Sequence, residues 1–355
     1  MADKGTIIVT GANGGLGSAL AEHIASKPEF LGHHGIYLVR DASAAPALTA
    51  ALSRGSASHK QEVASLDLTN LGNVRQVAQH INSRVSAGQI PPIRALILNA
   101  GFLDFGKQKW TSDGFDVTFA ANYLGHWLLK LLLLQSMDKE AGRIVVIGSQ
   151  THELTEGPRC SPSDPRNARS KAFEDKYKQL MGTDEASVEA VAKGAWASAK
   201  EDPSFRSGLR RYGASKLCLL MMMYELQRRL DKDANLKNIS VLGVDPGTMM
   251  TSLPRLAPWA IRVLIFGVIY PVIAFLFPNG PVRTPQRSGA DVLEAAFGSG
   301  LGAGDGLPKA LYFNGREPME TSPEARDSQK RELVWKETVK YTRLVEGETI
   351  LGDWQ

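Results

Sequence analysis

Short runs of aliphatic and β-branched residues alternate along this chain with longer stretches whose apolar positions recur at helical spacing. The short runs are Thr6–Thr10, Ile36–Val39, Glu62–Leu66, Ala95–Leu98 and Ile144–Ile147; between them lie Leu16–Ser26, Leu71–Val85 and Phe115–Met137. Short, mostly apolar runs suit strands covered from both sides, and the period-3.6 stretches suit the crossover helices that parallel strands require. Ile239–Val244 predicts a sixth strand and Leu311–Phe313 a seventh. The expected class is α/β, a doubly wound parallel sheet of about seven strands with helices on both faces.

Three regions fall outside that alternation. Gln150–Arg211 is polar, with one credible helix at Asp184–Lys200, and reads as an inserted, lid-like segment. Ser252–Arg287 is rich in Pro and large apolar residues and reads equally well as a flap over a lipophilic cavity or as a packed helical hairpin. Residues 316–355 predict a helical C-terminal extension. All three attach to one domain spanning 1–355, although a chain of this length also allows two cores.

Composition narrows the classes. Lys and Arg number 41 against 37 Asp and Glu, spread without long single-sign blocks, so no nucleic-acid footprint is visible. Two cysteines, Cys160 and Cys218, are too few for a disulfide framework and suit a reducing compartment. Met1–Gly5 leaves no room for a secretory signal before the first strand, so the expected location is cytoplasmic. Val263–Phe277 is uncharged but only 15 residues long and interrupted by Pro271, too short to span a bilayer. A buried or interfacial role fits it better, and peripheral membrane contact stays open.

Directly after the first run stands Thr10-Gly11-Ala12-Asn13-Gly14-Gly15-Leu16-Gly17, leading into a helix. Glycines here let backbone approach a pyrophosphate, whose charge is met by free N–H groups and the positive end of the helix dipole. The strand–turn–helix context makes this Rossmann-type loop more than a chance motif, with Gly11, Asn13, Gly15, Leu16 and Gly17 as the candidate cradle. The second strand ends in Arg40-Asp41: an arginine accommodates a 2′-phosphate, an acid holds the ribose hydroxyls of NAD. Arg40 stands first, which favours NADP(H) over NAD(H). Asp67 and Leu68 follow the third strand; Asp67 is placed either to cap a helix or to reach an adenine edge.

Tyr212 and Lys216 are four residues apart, hence on one helix face, in a helix expected to open at Tyr212. A cation about 4 Å from a phenol supplies roughly the 4 kcal/mol needed to lower its pKa by about three units. That would make Tyr212 a proton donor and acceptor near neutral pH. A Tyr/Lys pair alone is commonplace, but other pieces accompany it. Asn99, Ala100 and Gly101 close the fourth strand, Asn122 lies in Asn122-Tyr123-Leu124-Gly125-His126, and Ser149 follows the fifth. Asp245-Pro246-Gly247-Thr248 ends the sixth, with Thr251 behind it. These are carboxyl ends of strands, where open α/β sheets bind ligands.

The ordered set resembles the short-chain dehydrogenase/reductase family, and within it the retinol-dehydrogenase-like branch, over about residues 5–150 and 209–300. The resemblance implies a phosphate turn at Gly11, Gly15 and Gly17, and a fourth-strand asparagine at Asn99. It also implies a catalytic tetrad of Asn122, Ser149, Tyr212 and Lys216, with NADP(H)-contacting residues extending to Pro246, Gly247, Thr248 and Thr251. In such a family Tyr212 gives the proton, Lys216 binds the ribose and lowers the tyrosine pKa, Ser149 polarises the oxygen, and Asn122 holds a relay water. Leu98 departs from the family's usual second asparagine.

Ser149 and Tyr212 lie 63 positions apart, much farther than in most relatives, so the insertion is tethered at both ends to the expected site. His152, Glu153 and Cys160 are too irregularly spaced for metal ligands and read as polar loop residues; no metal is expected. The Leu131–Leu134 and Met221–Met223 runs read as core packing, inside one chain or between two, leaving monomer or homodimer open. Trp196 faces either the body or a ligand. Two functions follow: an NADP(H)-dependent oxidoreductase acting between ketone or aldehyde and alcohol on a small but bulky lipophilic substrate, in the reductive direction, or a cofactor-binding regulator or cyclase without redox turnover.

Overall fold

Each of the short apolar runs is a strand, and its alternating side chains feed two separate cores. In the computed structural model, which describes residues 4–153, 177, 179–249, 282–301 and 307–355, these are β1 (Thr6–Thr10), β2 (His34–Val39), β3 (Lys60–Ser65), β4 (Ile93–Leu98), β5 (Arg143–Ile147) and β6 (Ser240–Asp245). Ile7, Val9, Ala95, Ile97 and Val145 pack on one side of the sheet, Ile8, Leu96, Leu98, Ile144 and Val146 on the other. A period of two thus puts neighbouring residues of one strand into opposite layers, which is why these strands read as continuously apolar.

The first core is closed by α1 (Gly15–Ser26) and α7 (Pro285–Phe297), the second by α3 (Leu71–Ser86), α4 (Val117–Ser136), α6 (Phe205–Lys232) and α9 (Ser328–Thr342). Smaller helices are α2 (Pro46–Leu52), α5 (Glu185–Ala192) and α8 (Pro323–Arg326). α4 is long and apolar enough in composition to cross a membrane, but it is buried inside the fold, with Leu131, Leu133 and Leu134 fully inaccessible. Met221–Met223 are likewise buried in this one chain, which assigns both runs to its own core.

The sheet is larger than the seven strands expected. Among the described residues its order is β10-β9-β6-β5-β4-β1-β2-β3, where β9 (Tyr312–Asn314) runs parallel to β6 and β10 (Glu317–Pro318) folds back antiparallel. A two-residue strand is too short to show any period, which hid β10. β7 (Thr248–Met249) and β8 (Val282–Arg283) make a separate two-stranded ribbon. Both edges of the main sheet are blunted: β3 presents exposed Lys60 and Gln61, with Glu62 bonded to Arg84, and β10 carries Pro318.

Two helix boundaries differ from expectation. The helix expected over Asp184–Lys200 is α5 alone, capped by the Asp184 carboxylate on the Ser187 N–H and stopped after Ala192, with Gly194 at φ +71° beyond it. α6 opens at Phe205, capped by Ser204, two turns before Tyr212. Its first turns look polar in sequence because Arg210 and Arg211 stand there, yet both are buried, on Asp202 and Asp104 respectively.

Of the insertion, 150–153, 177 and 179–211 are described, and the inner face of 177 and 179–197 belongs to the second core. Val188, Val191 and Ala192 of α5 are buried there with Tyr177, Leu180 and Met181. Trp196 sits edge-on against Tyr177 at 5.4 Å between centroids, so it packs on the body. Glu324 of α8 accepts from the Leu180 and Met181 N–H groups, tying the insertion to the C-terminal extension. Cys160, Thr251 and nearly all of the apolar 252–287 region fall outside the described residues.

Candidate active site

The carboxyl ends of β1 to β6 surround one cavity of about 660 Å³. Gly11, Asn13, Gly15, Leu16, Gly17, Arg40, Asp67, Leu68, Asn99, Ala100, Gly101, Ser149, Tyr212, Lys216, Pro246, Gly247 and Thr248 all line it. Asn122 does not: it is fully buried beneath the wall.

The glycine turn is built for close backbone approach. A Cβ on Gly17 would lie 2.3 Å from the Gly11 carbonyl oxygen, so only glycine lets α1 start where it does. Gly14 caps α1 without a side chain, and no acidic residue stands in the first turn. The N-terminal N–H donors and the positive helix end therefore face the cavity, an arrangement that fits a pyrophosphate. Asn13 Oδ1 accepts from the Leu48 N–H and anchors the turn to α2. Asn99 Nδ2 donates to the carbonyls of Thr10 at 2.7 Å and Gly11 at 3.2 Å, so that asparagine braces the turn from the neighbouring strand.

At the far end of β2 the Arg40–Asp41 ambiguity resolves by hydrogen bonding. Asp41 Oδ1 accepts from both the N–H and the hydroxyl of Ser43, which hold its carboxyl below the usual carboxylate range and turn it onto its own loop. Arg40 is exposed at the cavity edge. Asp67 caps no helix: Oδ1 accepts from the N–H and hydroxyl of Thr69, while Asn70 caps α3 through the Asn73 N–H.

Tyr212 and Lys216 share the cavity-facing side of α6, but not as a close cation–phenol pair. Lys216 Nζ donates to the Ile147 carbonyl at 2.7 Å and stands 5.6 Å from the Tyr212 ring centroid. Burial pushes the Tyr212 phenol up, the negative charge of Asp245 pushes it further, and a hydrogen bond with Ser149 opposes them only in part. The net direction is therefore upward, against the expected lowering, because desolvation outweighs what Lys216 contributes to the phenolate. Lys216 itself is pulled down to about 8 by burial, against the raising effect of Asp245. Ser149 Oγ accepts from the N–H and hydroxyl of Thr151.

Asn122 stands behind the cavity wall. It lies in a π-turn of α4, Ala120–Leu124, with Oδ1 accepting from the Phe102 N–H and Nδ2 donating to the Phe102 carbonyl and Ser215 Oγ. Ser215 in turn donates to the Tyr212 carbonyl. The side chain clamps the Tyr212 turn of α6 against the segment after β4.

Several site residues carried no signal of their own in the sequence. Thr10 Oγ1 accepts from the N–H groups of Asn99 and Ala100 and lies 2.9 Å from His126 Nε2. With two donors already on that hydroxyl, its proton goes to Nε2, and His126 Nδ1–H donates to the Asn122 carbonyl. Asp245, buried at the end of β6, accepts from the Gly247 N–H through Oδ1. His152, read as a loop residue, is buried: Nδ1 lies 2.5 Å from the Ser149 carbonyl, and Nε2 accepts from the Ser322 N–H. Phe102, Leu103, Phe105 and Leu209 add an apolar wall.

A sequence profile described as short chain dehydrogenase matches residues 5–159. Over the whole of both chains, the protein is 44% identical to the short-chain dehydrogenase iccH of Talaromyces variabilis. It is 28% identical to the polyprenol dehydrogenase of Danio rerio, covering 93% of this chain and 84% of that one. In structure it superposes on the angucycline C-6 ketoreductase LanV, solved with bound NADP, with a TM-score of 0.55 at 17% identity, covering 88% of this chain and 93% of LanV. That last likeness speaks for the fold.

Proposed function

Because this chain belongs to the short-chain dehydrogenase/reductase family and is an oxidoreductase of that kind, we propose that it reduces a ketone or aldehyde on a bulky lipophilic molecule, using NADPH. The observation that carries this reading is one cavity with the uncapped N-terminus of α1 at one end and Ser149, Tyr212 and Lys216 at the other. The NADP bound to LanV supports the cofactor, and so does Arg40, exposed at the cavity edge while Asp41 is engaged with Ser43. The fit is to a phosphate-bearing dinucleotide: glycine backbone and a helix end for the pyrophosphate, an arginine for a 2′-phosphate, Lys216 for a ribose.

When bound, the nicotinamide supplies the hydride. The rest is done by this chain. Ser149 Oγ and Tyr212 Oη hold the carbonyl oxygen, and as the carbonyl carbon gains hydride, that oxygen takes the Tyr212 proton. Burial, and after it Asp245, raise the phenol's pKa, which favours the protonated form that reduction requires. The phenolate so formed is stabilised by the Lys216 ammonium and regains its proton from solvent. A binding protein without turnover has no need of this protonated tyrosine in the cavity, so the non-redox alternative is not favoured.

Loss of reduced-nicotinamide absorbance with a panel of cyclic and polycyclic ketones tests the reading. Tyr212→Phe should keep NADPH binding and lose about 10²–10⁴-fold in kcat, the usual worth of a general acid. A variant within threefold of the parent would overturn the assignment.

A further inference from the structure

Leu209, Tyr212 and Lys216 fall at i, i+3 and i+7 on α6 and all line the cavity, so Leu209 continues the catalytic face by one turn. Phe105, from the segment after β4, lines the same cavity. Both side chains are only half-buried and stand outside the fully buried core, which leaves apolar surface for a ligand to cover.

Phe105 is also held in a costly backbone state. Its φ is +50°, in the left-handed region that a phenylalanine seldom enters. Such a conformation persists only where the surroundings over-determine it, and here they do. Asp104 Oδ1 accepts from the Gly106 N–H at 2.8 Å, on the far side of Phe105. Asp104 Oδ2 accepts from Arg211 Nη2 at 2.7 Å and Nε at 3.1 Å, and both side chains are almost wholly buried. Arg211 also donates to the Ala197 carbonyl of the insertion and lies 3.4 Å from Asp116. Arg211 is the residue next to Tyr212, so one turn of α6 fixes both the proton donor and the Phe105 loop.

Taking Tyr212 as the proton donor proposed above, we infer that Phe105 and Leu209 are the specificity-determining pair, selecting carbonyl compounds whose apolar ring system extends beyond the reacting carbon, with Asp104 and Arg211 positioning the loop. A compact ketone satisfies Ser149 and Tyr212 without reaching this wall. A fused-ring ketone covers it.

Phe105→Ala and Leu209→Ala are compared with the parent on 9-fluorenone and cyclohexanone. Each should lose about 10- to 100-fold in kcat/KM for fluorenone, mainly through KM, as expected for losing a buried large side-chain contact. Cyclohexanone turnover and NADPH affinity should stay within about twofold, since uniform binding to the body of a substrate is what is removed. Equal losses on both ketones, or no loss on fluorenone, would overturn the pair. Equilibrium dialysis of fluorenone against the NADP⁺-saturated protein reads the wall without turnover. The parent should bind and both variants should bind about tenfold more weakly or worse; equal binding, or none by the parent, would also overturn it. If neither ketone is reduced while the dialysis difference stands, the reductase reading fails and the wall remains.

Discussion

At the scale of single residues the site is governed by what burial does to charge. Asp245 raises the Lys216 pKa, and burial lowers it to about 8. The ammonium is thus present below that pH and lost above it. Reductive kcat/KM should therefore fall as pH rises through about 8. Asp245→Asn removes the charge that raises Lys216, so the falling limb should move to lower pH; a limb that stays in place on a pH–rate profile would exclude Lys216 as its source. Arg40→Ala should weaken NADP(H) by about 10- to 150-fold, the worth of a charge-assisted contact, with little effect on NAD(H). Fluorescence titration with both cofactors checks it, and equal losses would point to a structural role.

At the scale of elements, the parts that were legible in the sequence are those whose signal is local. The glycine turn, the ends of β1 to β6 and the Tyr212/Lys216 pair announce themselves through short spacing, and all come together on one cavity. What stayed hidden was burial of polar groups. Arg211, His152 and Asp104 look like surface residues in the sequence because nothing local says that partners far along the chain will enclose them. The side-chain partners of Asn122, Phe102 and Ser215, were hidden too, since they are brought together only by the packing of α4 on α6.

His126 and His152 join elements in the same hidden way, and they make the fold sensitive to acid. Burial lowers His126 to about 3 and His152 to about 4, below the ordinary value of 6.5. A depressed imidazole contributes stability above its unfolded pKa that is lost as pH falls towards the folded one. Between about pH 6 and 4.5 the unfolded chain binds between one and two more protons through these residues, a slope of roughly 2–2.5 kcal/mol per pH unit. Urea unfolding at pH 7, 6 and 5 should show that decline, and His152→Gln should halve this part of it. An unchanged slope in the variant would mean that His152 is protonated in the folded chain.

Across the whole molecule, α6 and the C-terminal extension are locked by one buried arginine. Arg229 donates to Glu225, Glu332, Asp353 and the Gln355 carbonyl, with its guanidinium carbon 4.5 Å from the Trp335 ring centroid. Trp335 Nε1 donates to the Trp354 carbonyl, and the buried Lys130 amine lies over the same ring. Removing one partner of such a network strands the others, so Arg229→Ala should cost about 3–5 kcal/mol in denaturant unfolding while leaving the cavity's residues in place. A loss under about 1 kcal/mol would show the network to be surface-like.

The blunted margins of the sheet bear on a different property, the colloidal behaviour of the protein. Sheets grow from one molecule to the next through unpaired strand edges. Here the β3 margin presents Lys60 and the Glu62–Arg84 pair, and the β10 margin ends at Pro318, whose ring nitrogen has no hydrogen to offer a stacking strand. A parallel sheet of this size is slow to assemble and exposes its strands while it does so. Once it has closed, both margins, as far as they are described, are poor templates for filament growth.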